Sequence, residues 1–165
     1  MRGLSLFLML MLTPAFAACT YFAHSKAVDY YDSGRARDER GDSDGAIADY
    51  TKAIEADPTF VKAYLDRGIV RKKKDDYNGA VADFTKVIKL DPKNLQAYMS
   101  RGSARIFTED LDGAVEDFTK AIELDTRKAM QAVNYRNRAA AYSVQKKFDL
   151  AAADERKAAE IEKQP

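Results

Sequence analysis

The chain repeats itself every 34 residues, and that period limits its fold more than any other feature. The stretch Val61 to Asn94 reads VKAYLDRGIVRKKKDDYNGAVADFTKVIKLDPKN. Moved back by one period, Tyr64, Gly68, Ala80, Phe84 and Pro92 fall on Tyr30, Gly34, Ala46, Tyr50 and Pro58. Moved forward, they fall on Tyr98, Gly102, Ala114, Phe118 and Thr126. The segments ADYTKAIEADP, ADFTKVIKLDP and EDFTKAIELDT line up in register. A fixed period of this size marks an array of stacked units, each too small to bury its apolar face alone. Such a chain works by presenting a surface.

Each repeat holds two helical patterns. In the second, Tyr64, Leu65, Gly68 and Ile69 recur at helical spacing, and Ala80, Val81, Phe84, Val87 and Ile88 do so again. Asp76 stands where it caps the second helix by accepting from free N–H groups, and Asp42 and Asp110 stand likewise. The helix ends before Asp91-Pro92, because proline restricts the residue before it and cannot continue the ladder. The spacing predicts helices at about 27–40, 43–56, 61–74, 77–90, 95–108 and 111–124. A fourth repeat follows after a slip, because Phe148 to Lys163 matches the second-helix pattern at an interval of 37. The extra residues are expected at Ala129-Met130-Gln131, lengthening the helix there or widening the turn. Lys147 replaces the capping Asp, and Glu155 replaces the aromatic.

This unit, with Tyr, Gly, Ala, an aromatic and Pro at these intervals, resembles the tetratricopeptide repeat. The resemblance covers Ala27 to Lys163 and implies an all-α fold, a right-handed superhelical solenoid of about four helix–turn–helix repeats. Their expected bounds are 27–60, 61–94, 95–128 and 129–163. It also implies a non-enzymatic adaptor that holds a peptide or protein segment in a concave groove. Carried onto this chain, the groove would be lined by Tyr31, Arg35, Leu65, Ile69, Lys72, Met99, Ser103, Ile106, Arg136 and Ala140. Some members clamp a C-terminal carboxylate with Lys, Asn and Arg on these faces. Here Leu65, Ile69, Met99 and Ser103 fall at or near those places, which argues against binding a chaperone tail. The family often has an aromatic seven residues after the first-helix tyrosine, where this chain has Arg37, Arg71 and Arg105; Tyr142 alone conforms.

Residues 1–17 stand outside the repeat. Arg2 is a short positive region, Leu4 to Leu12 an apolar run too short to span a bilayer, and Ala15 and Ala17 are small residues before a cleavage point. That is the layout of a signal peptide, followed by a lead-in at 18–26. Phe16-Ala17-Ala18-Cys19 also resembles a bacterial lipobox, and lipidation of Cys19 would anchor the chain to a membrane. These features, with the style of the repeat, point to an exported bacterial protein, periplasmic or secreted. The alternative is an envelope-assembly lipoprotein.

Other chemistry is not encoded. The 27 basic and 26 acidic residues leave a net charge of only +1, too little to draw the chain to nucleic acid. A phosphate loop, a zinc-helix His pair and Cys-x-x-Cys are all missing from the sequence, so no metal or cofactor is expected. His24 is the single histidine and reads as a surface residue. The run Arg71-Lys72-Lys73-Lys74 complements the dipole at a helix C-terminus. At the end of the array, Glu155, Arg156 and Lys157 take the places of Phe118, Thr119 and Lys120, which predicts a polar outer face.

A last expectation concerns charge. Asp49, Asp83, Asp117 and Asp154 recur in the second helices, and Arg67, Arg101 and Arg138 in the first helices of repeats two to four; repeat one has Ser33 there. The count predicts a ladder between repeats: Asp49 with Arg67, Asp83 with Arg101, and Asp117 with Arg138.

Overall fold

The computed structural model describes residues 14–163. The apolar run of the expected leader and Arg2 lie outside the described residues. Among those described, the chain is all-α, with eight helices: α1 (Pro14–Glu39), α2 (Ser43–Ala56), α3 (Val61–Lys73), α4 (Tyr77–Leu90), α5 (Leu95–Phe107), α6 (Leu111–Leu124), α7 (Lys128–Val144) and α8 (Phe148–Glu162). They form an array of helix pairs, one pair per repeat. The chain divides between Ala63 and Tyr64 into two compact bodies, the first holding α1 and α2.

Local signals set the boundaries. Asp42, Asp76 and Asp110 each accept from a glycine N–H three residues on, closing the first turn of α2, α4 and α6. Lys147 gives α8 no such cap. The turn inside every repeat has one form. The N–H of Asp42, Asp76, Asp110 or Lys147 bonds the carbonyl five residues back, on Arg37, Arg71, Arg105 or Tyr142, at 2.9–3.0 Å. The residue before it is left-handed: Gly41, Asp75, Glu109 and Lys146 have φ of 81°, 61°, 62° and 59°. This closure satisfies carbonyls that the ending helix leaves free. Between repeats, Asp57 and Asp91 stop the helix ahead of a proline and accept from backbone N–H groups two residues on. Thr126 lacks the proline's restriction; there Asp125 accepts from the backbone and guanidinium of Arg127 instead.

One boundary differs from expectation, and another settles a choice the sequence left open. Helix α1 starts at Pro14 rather than near Ala27, so the expected lead-in is helical and continuous with the first repeat. Helix α7 has 17 residues where α3 and α5 have 13, so the slip before the fourth repeat is absorbed by lengthening that helix at its start. Gln131 in the added turn donates to the Asp125 carbonyl at 2.5 Å.

The core is built repeat by repeat from small residues against one aromatic. Phe84 and Phe118 are fully buried and lie over Gly68 and Gly102, where a β-carbon would stand 2.8 and 3.0 Å from the ring. The glycines thus clear space for the ring. In the fourth repeat Glu155 replaces the ring and Ala139 replaces the glycine. Ala104 then packs on Ala80 and Phe84, and Ala141 on Ala114 and Phe118, joining α5 and α7 each to the preceding repeat.

Candidate functional site

The second helices put a buried aspartate beneath each first helix. Asp83 and Asp117 are 3 % and 2 % exposed, and each is held by two arginines of its own repeat. Arg67 grips Asp83 through two nitrogens at 3.0 and 2.6 Å, and Arg71 adds a third bond at 2.9 Å. Arg101 and Arg105 treat Asp117 alike, at 3.0, 2.7 and 3.0 Å. Arg138 holds Asp154 at 2.8 Å through both oxygens.

The expected ladder is therefore drawn one step wrong. No pairing of Asp83 with Arg101 or Asp117 with Arg138 forms; the aspartates pair within repeats, sixteen residues after their arginines. The cause is geometric. Arginine and aspartate face each other across the antiparallel pair of helices in one repeat, and the planar fork matches the carboxylate there. Ser33 keeps the same contact in repeat one, donating to Asp49 at 2.7 Å, while Arg37 and Lys52 supply the charge at 2.9 and 3.0 Å. Burial pushes the Asp49 carboxyl up, but the hydrogen bonds of Ser33 and Lys52 and the charge of Arg37 outweigh it and hold it below the usual range. The arginines do reach back to the preceding repeat, by a spare nitrogen and onto a hydroxyl. Arg101 donates to Thr85 at 3.1 Å and Arg138 to Thr119 at 2.9 Å.

Arg71 and Arg105, the departures from the family's aromatic, brace the turn. Besides the buried aspartate, Arg105 touches Asp110 at 3.0 Å and the Gly113 carbonyl at 3.1 Å. The fourth repeat has neither the arginine nor the capping aspartate: Tyr142 and Lys147 stand there together. Sequence reasoning passed over this brace, although the joint loss of both residues in one repeat was visible.

The expected groove residues divide between the two bodies. In the first, Tyr31 is half-buried between Tyr50 and Phe60, with ring centres 5.7 and 5.1 Å away, and Arg35 is exposed beside Glu39. In the second, Leu65 and Ile69 share a cluster with Ala80, Phe84 and Ala104, whereas Ile106 joins the next, on Ala114, Phe118 and Ala141. Lys72, Met99 and Ser103 are half-buried, and Ala140 is exposed. Arg136 is tied to Glu162 at 2.5 and 2.7 Å. The face from Leu65 to Ser103 thus offers partly covered apolar atoms. His24 is exposed and meets Asp57 at 2.9 Å.

Among the described residues no group of three or more His, Cys, Asp or Glu side chains could hold a metal ion. None of their helices is long and apolar enough to cross a membrane.

Two family models match the sequence, one described as TPR repeat over residues 34–75 and one as tetratricopeptide repeat over residues 65–129. Among solved structures, the MamA protein is similar at 28 % identity, covering 83 % of this chain and 73 % of its own, with a TM-score of 0.78. MamA from Desulfovibrio magneticus RS-1, at 24 % identity, covers 82 % and 75 % with a TM-score of 0.76 and shares the fold. The second TPR domain of Spaghetti (RPAP3), bound to the HSP90 peptide SRMEEVD, is 29 % identical over 66 % of this chain and 99 % of its own, at a TM-score of 0.63. No curated protein matches the chain in sequence.

Proposed function

This chain belongs to the tetratricopeptide repeat family, and we propose that it is a non-enzymatic adaptor that binds a peptide or protein segment on the groove face of its first helices. The observation that carries the reading is the half-buried strip Leu65, Ile69, Met99 and Ser103 on successive first helices, in a fold whose RPAP3 relative holds a peptide. The occupant differs in chemistry from that peptide. SRMEEVD carries three acidic residues, and a site for it needs cations; here the middle of the strip has none. The segment that fits is apolar at its centre.

Met99 and Ser103 are the positions to test, because Leu65 and Ile69 also pack on the core and a charge there would disturb folding. With Met99→Glu and Ser103→Glu together, capture of partners from an envelope extract will fall by at least about tenfold, as expected when apolar contacts become desolvated charges. The helical circular dichroism will stay unchanged. Undiminished capture would move the site to another face.

The same proposal places the protein outside the cytoplasm, with residues 1–17 as a removable leader. Cleavage after Ala17 takes away only the first four residues of α1 as described. Mass spectrometry of the mature N-terminus from cells is expected to give a free Ala18. A lipidated Cys19 would instead make the protein a membrane-anchored assembly factor, and an intact Met1 would refute export.

A further inference from the structure

The two ends of the array carry the two halves of a junction. Where the fourth repeat meets the third, Arg138 of α7 and Gln145, just past its end, donate to two side chains of α6. Arg138 bonds Thr119 at 2.9 Å, and Gln145, two turns on, bonds Asp112 at 2.7 Å. Arg101 of α5 and Thr85 of α4 repeat the first of these at 3.1 Å. The helices run antiparallel, so each junction has a fixed register.

Carried to the ends, that register gives two matched pairs. Helix α8 has Asp149 at the place of Asp112 and Arg156 at the place of Thr119. Arg40, just past the end of α1, stands at the place of Gln145, and Ser33 in α1 at the place of Arg138. Asp149 and Arg40 are opposite charges. Arg156 and Ser33 keep the hydrogen bond with donor and acceptor exchanged. The long and short side chains are exchanged too, so the summed bulk is conserved. An arginine at position 33 would face Arg156 as a like charge. Asp29, one turn before Ser33, adds a carboxylate on the same side of α1, at the place where Ala97 and Asn134 are buried.

These groups are free to do this. Asp29, Arg40, Asp149 and Arg156 are all exposed, and none has a side-chain partner among the described residues. Phe148 is 66 % exposed, whereas its counterpart Tyr77 is stacked on Phe107 of the following repeat at 4.4 Å. We propose that the outer face of α8 receives α1 of a second copy of this chain, head to tail, with Arg156 donating to Ser33 and Asp149 pairing with Arg40. Such a contact uses different faces on the two copies and so propagates or closes into a ring. Glu155 in the aromatic's place keeps the face soluble when empty and makes the contact reversible. The site is independent of the groove.

The test is sedimentation of the full chain from low micromolar to millimolar concentration at low salt. Average mass is expected to rise with concentration. Arg40→Asp and Asp149→Arg, each alone, will keep the helical signal but need roughly tenfold more protein to associate, because each sets like charges opposite. Mixed in equal amounts the two variants will recover association, since every alternating junction then pairs an acid with a base. A wild-type chain that stays monomeric throughout, single variants that associate as it does, or a mixture that does not recover would overturn the proposal.

Discussion

Asp117→Ala will lower the free energy of unfolding by about 3–5 kcal/mol, the cost of leaving a buried charge without its partner. The carboxylate is 2 % exposed and receives three bonds from Arg101 and Arg105, whose side chains are only 13 % and 20 % exposed. Its loss leaves two guanidinium groups facing each other over an apolar floor. Asp154→Ala should cost less, because Arg138 alone remains and keeps its bond to Thr119. A double-mutant cycle in urea locates the interaction. Asp117→Asn and Arg101→Gln are expected to couple strongly, while Asp83→Asn and Arg101→Gln add independently. Coupling in the second pair would reinstate a ladder between repeats.

Phe118→Ala will cost about 3–5 kcal/mol, as large-to-small changes do where the surroundings cannot collapse. The ring is 1 % exposed, fixed between Gly102 of its own repeat and Ala141 of the next. The fourth repeat suggests the repair, since Ala139 stands where the ring is missing. Adding Gly102→Ala to Phe118→Ala should return roughly 1 kcal/mol, partly by filling space and partly because alanine loses less entropy than glycine in a helix. Thermal unfolding of the three variants decides it: a double variant no more stable than Phe118→Ala alone would show that the glycine is not matched to the ring.

Much of the fold was legible because its signals are local. Asp42, Asp76 and Asp110 cap the helices they precede, and the ends of α2, α4 and α6 fall where the spacing puts them. The charged pairs were not legible. Counting residues showed that repeat one lacks an arginine, but not that Ser33 and two neighbouring cations can serve the same carboxylate. Which of two nearby arginines an aspartate meets depends on how the helix pair crosses, and a one-dimensional count holds no such information. The groove was legible only as a pattern of faces. That pattern did not reveal that Ile106 packs half-buried on Ala114, Phe118 and Ala141, or that Arg136 pairs with Glu162.

The bonding inside a repeat differs in kind from that between repeats, and this has a mechanical consequence. Within the second and third repeats a carboxylate is gripped by two cations and a ring is seated on a glycine. From the second repeat to the fourth, the side-chain joints are Arg101 and Arg138 each on a threonine hydroxyl, and Gln145 and Lys147 on Asp112, beside the Tyr77–Phe107 stack and contacts between small side chains. Under tension along the chain, strain therefore collects at the joints while each helix pair stays whole. That part of the molecule is a row of stiff links on compliant hinges, able to lengthen elastically before any link opens.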